Sequence, residues 1–150
     1  LAEKQAQAQG FTQVLWLDAV ERKYIEEVGS MNIFFVIDDE IVTPQLNGTI
    51  LPGITRKSVL ELARHWDLKT SERRISIDEV LEGLESGRVS EVFGAGTAAV
   101  ISPVGLLHYR GQSSQVGDGQ TGPVAKRFFQ HLTAIQYGRE NDPFGWVETV

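Results

Sequence analysis

The chain reads as a strand-rich α/β (α+β) domain with several packing helices, and three features predict it. Apolar runs rich in β-branched and aromatic residues, above all Ile33-Phe34-Phe35-Val36-Ile37, are bounded by turn-forming residues, as buried strands are. Two stretches keep apolar residues at helical spacing: Val59, Leu62, Ala63 and Trp66, then Val124, Phe128, Leu132 and Ile135. A length of 150 residues, 41% hydrophobic and 23% charged, suits one domain around one core.

The opening run Leu1-Ala2-Glu3-Lys4-Gln5-Ala6-Gln7-Ala8-Gln9 is full of good helix formers and stops at Gly10. No capping residue precedes it, so it reads as the downstream part of a longer helix, and the chain as a piece of a longer protein. Residues 12–18 predict a strand, 24–28 its antiparallel partner across a turn at 19–23, and 32–37 a third strand. Asp38-Asp39-Glu40 fits a solvated hairpin turn; it lacks the glycine and alternating oxygen ligands of a calcium loop. Ile41-Val42-Thr43 continues the meander and Pro44 closes it.

A loop at 47–53, with two glycines and a proline around Thr49-Ile50-Leu51, leads into a helix from Ile54 to Trp66. Residues 69–75 predict a short strand. Ser76-Ile77-Asp78-Glu79 fits a capping box, with the Ser76 hydroxyl over the first turn and Glu79 reaching back. That helix runs to about Ser86, stops at Gly87, and carries an acidic face (Asp78, Glu79, Glu82, Glu85) that reads as solvated surface. Ser90-Glu91-Val92-Phe93 predicts a strand entering Gly94-Ala95-Gly96-Thr97, and residues 98–103 leave as another. Leu106-Leu107-His108-Tyr109 and a glycine-rich loop at 111–122 follow. The last helix begins at Gly122-Pro123, and Phe144 and Trp146 in the polar tail pack back on the domain.

Composition removes several classes. The net charge of −6 argues against a nucleic-acid binder. No apolar run approaches the roughly 20 residues that span a bilayer, and residues 1–9 lack the basic and apolar regions of a signal peptide. The absence of cysteine excludes disulfides and thiolate chemistry and fits a cytoplasmic address. His65, His108 and His131 lie far apart with no metal-ligand spacing, so no metal site is expected.

Three stretches carry chemistry. Glu26-Glu27-Val28-Gly29-Ser30-Met31-Asn32 places a carboxylate pair beside a buried strand. A half-buried carboxylate needs a cation, from the protein or from a ligand; the alternative is one solvated and one salt-bridged glutamate. The helix start at Ile54-Thr55 has first-turn N–H groups free to bind an anion, although glycine and threonine are what any helix start needs. The Gly94-Ala95-Gly96-Thr97 turn can aim consecutive N–H groups into an anion nest, or be a tight hairpin whose glycines take φ > 0.

These stretches resemble, in order, those of the branched-chain aminotransferases, pyridoxal 5′-phosphate (PLP) enzymes of fold type IV. The matching motifs are Glu27-Val28-Gly29-Ser30-Met31-Asn32, Gly48-Thr49-Ile50-Leu51-Pro52-Gly53-Ile54-Thr55-Arg56, Glu91-Val92-Phe93-Gly94-Ala95-Gly96-Thr97-Ala98 and Ile135-Gln136-Tyr137-Gly138-Arg139, which cover almost the whole chain. The resemblance implies that residues 1–150 are the large, strand-rich C-terminal domain of such an enzyme. It implies PLP as cofactor, transfer of the amino group of leucine, isoleucine or valine to 2-oxoglutarate through PLP and pyridoxamine phosphate in turn, and a homodimer. It places Glu27, rather than Glu26, on the pyridine nitrogen, whose retained proton makes the ring a better electron sink. Leu51 would pack on the ring. Ile54 and Thr55 would hold the phosphate through backbone N–H groups, Thr55 also through its hydroxyl, and the Thr97 hydroxyl would join them. The Thr97 and Ala98 N–H groups would hold the substrate carboxylate, Ser30 would face the substrate, and Met31 would line the apolar pocket or the core beside it.

Two departures matter. Ala99 and Ser102 stand where some members carry a Cys-x-x-Cys pair, so that thiol switch is absent. The family's Schiff-base lysine belongs to a Lys-x-x-Gly-Asn-Tyr-like stretch upstream of Leu1; Lys4 sits in no such stretch. The phosphate-binding arginine and the small N-terminal domain also lie outside residues 1–150. The chain by itself is therefore expected to be an inactive fragment. Other type IV enzymes, a D-amino-acid aminotransferase or an aminodeoxychorismate lyase, share the fold and the glutamate; the Gly-Ser-Met-Asn and Gln-Tyr-Gly-Arg runs favour the branched-chain group. A non-catalytic domain of the same fold is a reading from another class, and Glu27, Thr55 and Thr97 together argue against it.

Overall fold

The computed structural model describes residues 1–148. The domain is built on β3 (Met31–Ile37), which is buried along nearly its whole length. Along one edge of β3 runs β6 (Val89–Gly96), antiparallel, from Asn32 opposite Ala95 to Ile37 opposite Val89. The start of β3 pairs with β2 (Ile25–Val28), Glu27 opposite Asn32, and its end pairs with β4 (Glu40–Pro44), Phe35 opposite Val42. β1 (Leu15–Leu17) extends the sheet beyond β2, β5 (Thr70–Arg73) runs parallel to β4, and β7 (Val100–Pro103) lies beside β6, giving seven strands. β8 (Leu106–Tyr109) and β9 (Gln112–Gln115) form a separate hairpin. The helices are α1 (Ala2–Ala8), α2 (Ile54–His65), α3 (Ile77–Ser86) and α4 (Pro123–Gln136).

Successive β3 side chains point to opposite faces, and both faces are covered. Phe34 and Val36 join Phe93, Ala95, the α2 residues Val59, Leu60, Leu62 and Ala63, and Phe128 and Leu132 of α4. Ile33, Phe35 and Ile37 join Val92, Val80 of α3, Leu107 and Val116. A strand buried on both faces is apolar along its run, here from Ile33 to Ile37 after Asn32 at its head, which is why this one stands out in the sequence.

Several expectations need correction. The strand expected at 12–18 is only β1; ahead of it, Val14 lends its carbonyl to Gly29 N–H at 2.8 Å. The strand expected at 69–75 is the shorter β5, and Ile75 beyond it enters the core. β9 lies inside what reads as a glycine-rich loop, because Gln112-Ser113-Ser114-Gln115 has no apolar face to betray a strand. The capping box is half formed: Ser76 Oγ accepts from Glu79 N–H at 3.0 Å, but the Glu79 side chain turns to Arg73 instead, at 3.0 and 2.5 Å. Arg73 holds that carboxyl below the usual range, so Glu79 is not simply solvated. The turn at Asp38-Asp39 does behave as a hairpin turn: both residues have positive φ, and Asp38 pairs with Arg88 at 2.6 Å. Phe144 and Trp146 pack back as expected, stacked at 4.2 Å, with Trp146 Nε1 donating to Glu61 at 3.1 Å.

Asp18 ties off the turn between β1 and β2, accepting from the N–H groups of Tyr24, Lys23 and Glu21 at 2.8, 2.9 and 2.6 Å. These donors, Tyr24 first, hold its carboxyl at about 2. A folded value below the unfolded value of about 3.9 means stability that is fully present above about pH 4 and lost as pH falls through about 2. Asp18→Asn should flatten this part of the acid-unfolding curve, followed by circular dichroism; an unchanged curve would remove Asp18 from the acid response.

Candidate active site

The sheet register sets the first and third of the four motifs together at one end. Glu27 on β2, Asn32 on β3 and Ala95 on β6 stand side by side and share a face. The Gly29-Ser30 turn between β2 and β3 and the turn at 97–99 between β6 and β7 close that end. The loop at 47–53 folds over it and is fastened at three points. Thr49 Oγ1 donates to Glu26 Oε1 at 2.6 Å, Leu51 N–H donates to Glu27 Oε1 at 3.1 Å, and Asn32 Nδ2 donates to the Leu51 carbonyl at 2.8 Å. Ile50, between two fastened residues, is buried. The two glutamates thus have different neighbours, and among the described residues neither forms an ion pair. Glu27 spends one oxygen on a backbone donor and has a second for a ligand.

The same loop delivers the start of α2. Asn32 Oδ1 lies so close to Gly53 that a Cβ there would collide with it, so glycine is needed for approach. Gly53 caps α2 in an extended conformation without a side-chain hydrogen bond, and the first turn carries no acidic residue. By contrast, Ser76 caps α3 and the Glu91 carboxylate caps α4. α2 therefore presents uncompensated first-turn N–H groups, those of Ile54 and Thr55 among them, with the Thr55 hydroxyl beside them. Two large apolar side chains flank this start: Leu51 is 69% exposed and Ile54 83% exposed.

The β6–β7 turn exposes Thr97, Ala98 and Ala99. Gly94 and Gly96 do not have positive φ, so the hairpin explanation of these glycines is wrong. They are small because Met31 packs on them; a Cβ on Gly96 would stand 2.8 Å from Met31 Cγ, and one on Gly94 2.9 Å from Met31 Cε. Val100, by contrast, has φ +59, a strained value for a β-branched residue, immediately after the turn. Met31 points to the face opposite Glu27, where it lines a cavity of about 470 Å³ between the sheet, residues 10–15 and β8. Ser30 is exposed in its turn, which Trp16 pins by donating Nε1–H to the Gly29 carbonyl at 2.9 Å. The fourth motif lies at the end of α4, where Arg139 stands over the exposed ring of Tyr137. Lys4 is exposed on α1.

The donor set suits one kind of ligand. An uncapped helix start with threonine hydroxyls at hand suits a phosphate, exposed Leu51 suits a flat apolar ring, and the free Glu27 oxygen suits a protonated ring nitrogen. These residues therefore fit a phosphorylated pyridine cofactor. Sequence reasoning quoted Asn32 and Gly53 within the matching motifs without giving either a role, and gave none to Trp16. Apart from its place in the motif, the signal for Asn32 was a polar residue at the head of an otherwise apolar strand.

The chain is similar to known proteins in sequence and in overall fold. A family model described as amino-transferase class IV matches residues 1–107. Branched-chain-amino-acid aminotransferase 2 of Bacillus subtilis is 55% identical over 149 residues, covering 99% of this chain and 41% of that protein. The Escherichia coli branched-chain amino acid aminotransferase superposes with a TM-score of 0.82 at 34% identity, over 99% of this chain and 46% of that one. A T.th. branched-chain amino acid aminotransferase, complexed with N-(5′-phosphopyridoxyl)-L-glutamate, does so with a TM-score of 0.81 at 32% identity, over 98% and 45%. The chain thus spans about two-fifths of the length of the curated relatives it matches. The mixed, strand-rich fold, the uncapped α2 start and these matches lead to one conclusion: the chain belongs to the class IV aminotransferase family.

Proposed function

We propose that residues 1–150 form the large C-terminal domain of a branched-chain aminotransferase and supply the wall of its PLP site that holds the ring nitrogen, the phosphate and the substrate carboxylate. The observation that carries this reading is the meeting of Glu27, Leu51, the start of α2 and the turn at 97–99 at one end of the sheet. When bound, the cofactor supplies an electron-accepting ring for charge developing at the substrate α-carbon. Glu27 holds a proton on the ring nitrogen through its free oxygen, and Leu51 covers the ring from water. The Ile54 and Thr55 N–H groups, with the Thr55 and Thr97 hydroxyls, take the phosphate. The Thr97 and Ala98 N–H groups hold the substrate carboxylate and Ser30 faces the substrate. Met31, on the opposite face, belongs to the core beside the site rather than to the pocket, and supports the strand that leads into the 97–99 turn through Gly94 and Gly96.

In this reading the amino donors are leucine, isoleucine and valine and the acceptor is 2-oxoglutarate. The lysine that anchors the cofactor and the small domain come from an upstream segment, and the whole enzyme is a cytoplasmic homodimer. The first test compares pyridoxamine 5′-phosphate with pyridoxamine by titration into the chain. The phosphate should tighten binding at least about tenfold, and Thr55→Ala should erase most of that gain. Equal affinities would sink the phosphate site. Borohydride trapping with added PLP should modify no lysine of residues 1–150 above background. Joined to the upstream segment, the protein should turn over L-leucine and not D-alanine; the reverse would assign it to another type IV activity.

A further inference from the structure

The residues that face the proposed cofactor are held by one that does not. Asn32 is 5% exposed and sits at the head of β3, between Glu27 on β2 and Ala95 on β6. Its side chain leaves the sheet and reaches the loop at 47–53, where Nδ2 donates to the Leu51 carbonyl at 2.8 Å. The same carbonyl accepts from Gly53 N–H at 2.9 Å, and Asn32 Oδ1 packs against Gly53, which has no Cβ to prevent it. On its other side, Leu51 donates its N–H to Glu27 Oε1 at 3.1 Å. Both backbone polar groups of Leu51 are thus bound, one to a buried amide and the other to the carboxylate.

The consequence is directional. A carboxylate held by one exposed backbone donor competes with water for that bond. It keeps a fixed direction only if the donor itself is fixed. Here the donor belongs to a loop residue whose carbonyl is anchored from the buried side. Asn32 therefore sets where the Leu51 side chain stands and, through Leu51 N–H, which Glu27 oxygen faces outward.

We propose that Asn32 is a positioning residue for the cofactor ring: by anchoring Leu51 it orients the Glu27 carboxylate toward the ring nitrogen and Leu51 toward the ring face. This rests on the reading that Glu27 meets the ring nitrogen. Gly53 belongs to the same device, since any side chain there displaces the Asn32 amide.

The test uses pyridoxamine 5′-phosphate labelled with ¹⁵N in the ring, bound to the 150-residue chain at saturation. The ¹⁵N shift reports whether the ring nitrogen keeps its proton across neutral pH, and thermal melting of the ligand-free chain reports the fold. In the parent chain the nitrogen should stay protonated to high pH, and Glu27→Gln should abolish this. Asn32→Leu, which keeps the branched outline and removes the donor, should lower the pH at which the nitrogen loses its proton and weaken binding at least about fivefold. Gly53→Ala, which keeps the amide but moves it, should shift the titration the same way. If either variant folds, binds and titrates like the parent, Asn32 is only structural and the inference falls. If Glu27→Gln leaves the parent's titration unchanged, the assignment of Glu27 falls first and this inference with it.

Discussion

Replacing Glu27 by glutamine, in the protein that joins this chain to its upstream segment, should lower kcat for L-leucine on the order of a hundredfold to a thousandfold. That is the scale on which removal of one preorganised electrostatic partner acts in other enzymes. Glutamine keeps the shape and can still accept from Leu51 N–H, so the 47–53 loop should stay in place. What it loses is the negative charge that, in the proposed function, holds a proton on the ring nitrogen. Charge demand is greatest in the transition state, so kcat should fall much further than the affinity for pyridoxamine 5′-phosphate. Glu26 is the built-in control. It accepts from the Thr49 hydroxyl, and Glu26→Gln should change kcat less than about threefold. Rapid-quench single-turnover kinetics on both variants would decide. A large loss at Glu26 with little at Glu27 would reverse the assignment of the pair.

The second large effect lies outside the site. Glu91 on β6 is 6% exposed, and its two oxygens accept from the N–H groups of Val124 and Ala125, both at 2.9 Å. A buried carboxylate thus closes the N-terminus of α4, where the helix dipole favours negative charge. Gly122 makes this possible, because a Cβ there would overlap the carboxyl group. Glu91→Ala would leave two first-turn N–H groups without their partner and empty the space of a carboxylate, destabilising the fold by about 3 kcal/mol. Glu91→Gln should lose about half of that, since one amide oxygen can still accept while its NH₂ group faces a donor. Gly122→Ala should resemble Glu91→Ala, because the collision expels the cap. Urea unfolding would measure all three; a lower midpoint with an unchanged slope marks lost stability rather than a changed unfolded state. Variants within a few tenths of a kcal/mol of the parent would show that α4 is held by its apolar face alone.

Much of the domain was legible because its signals are local. β3 betrays itself by five consecutive apolar residues, α2 and α4 by their 3.6-residue spacing, and the ends of α3 by Ser76 and Gly87. What escaped was decided elsewhere in the chain. β9 is polar on both faces and exists because β8 offers it a partner. Glu79 fits a capping box by position, yet Arg73, brought alongside by the fold, draws its carboxylate away. Glu91 looks like any strand glutamate until α4 arrives, and its two donors lie more than 30 residues further on.

The candidate site divides along the same line. The sequence alone determined which side chains are present: a carboxylate pair before a strand, threonines beside glycines, and a helix start with no acidic cap. Residue types and short spacings are enough for that, because turns and helix starts involve neighbours in the chain. Only the tertiary structure decided how those stretches meet. The pairing of β2, β3 and β6 set Glu27, Asn32 and Ala95 side by side, and Asn32 then bound the 47–53 loop across 19 residues. It also separated Met31 from Glu27 onto opposite faces, since adjacent residues of paired strands alternate. Strand register follows from burying both faces of β3 at once. That is a property of the packed domain, which no single stretch of the chain contains.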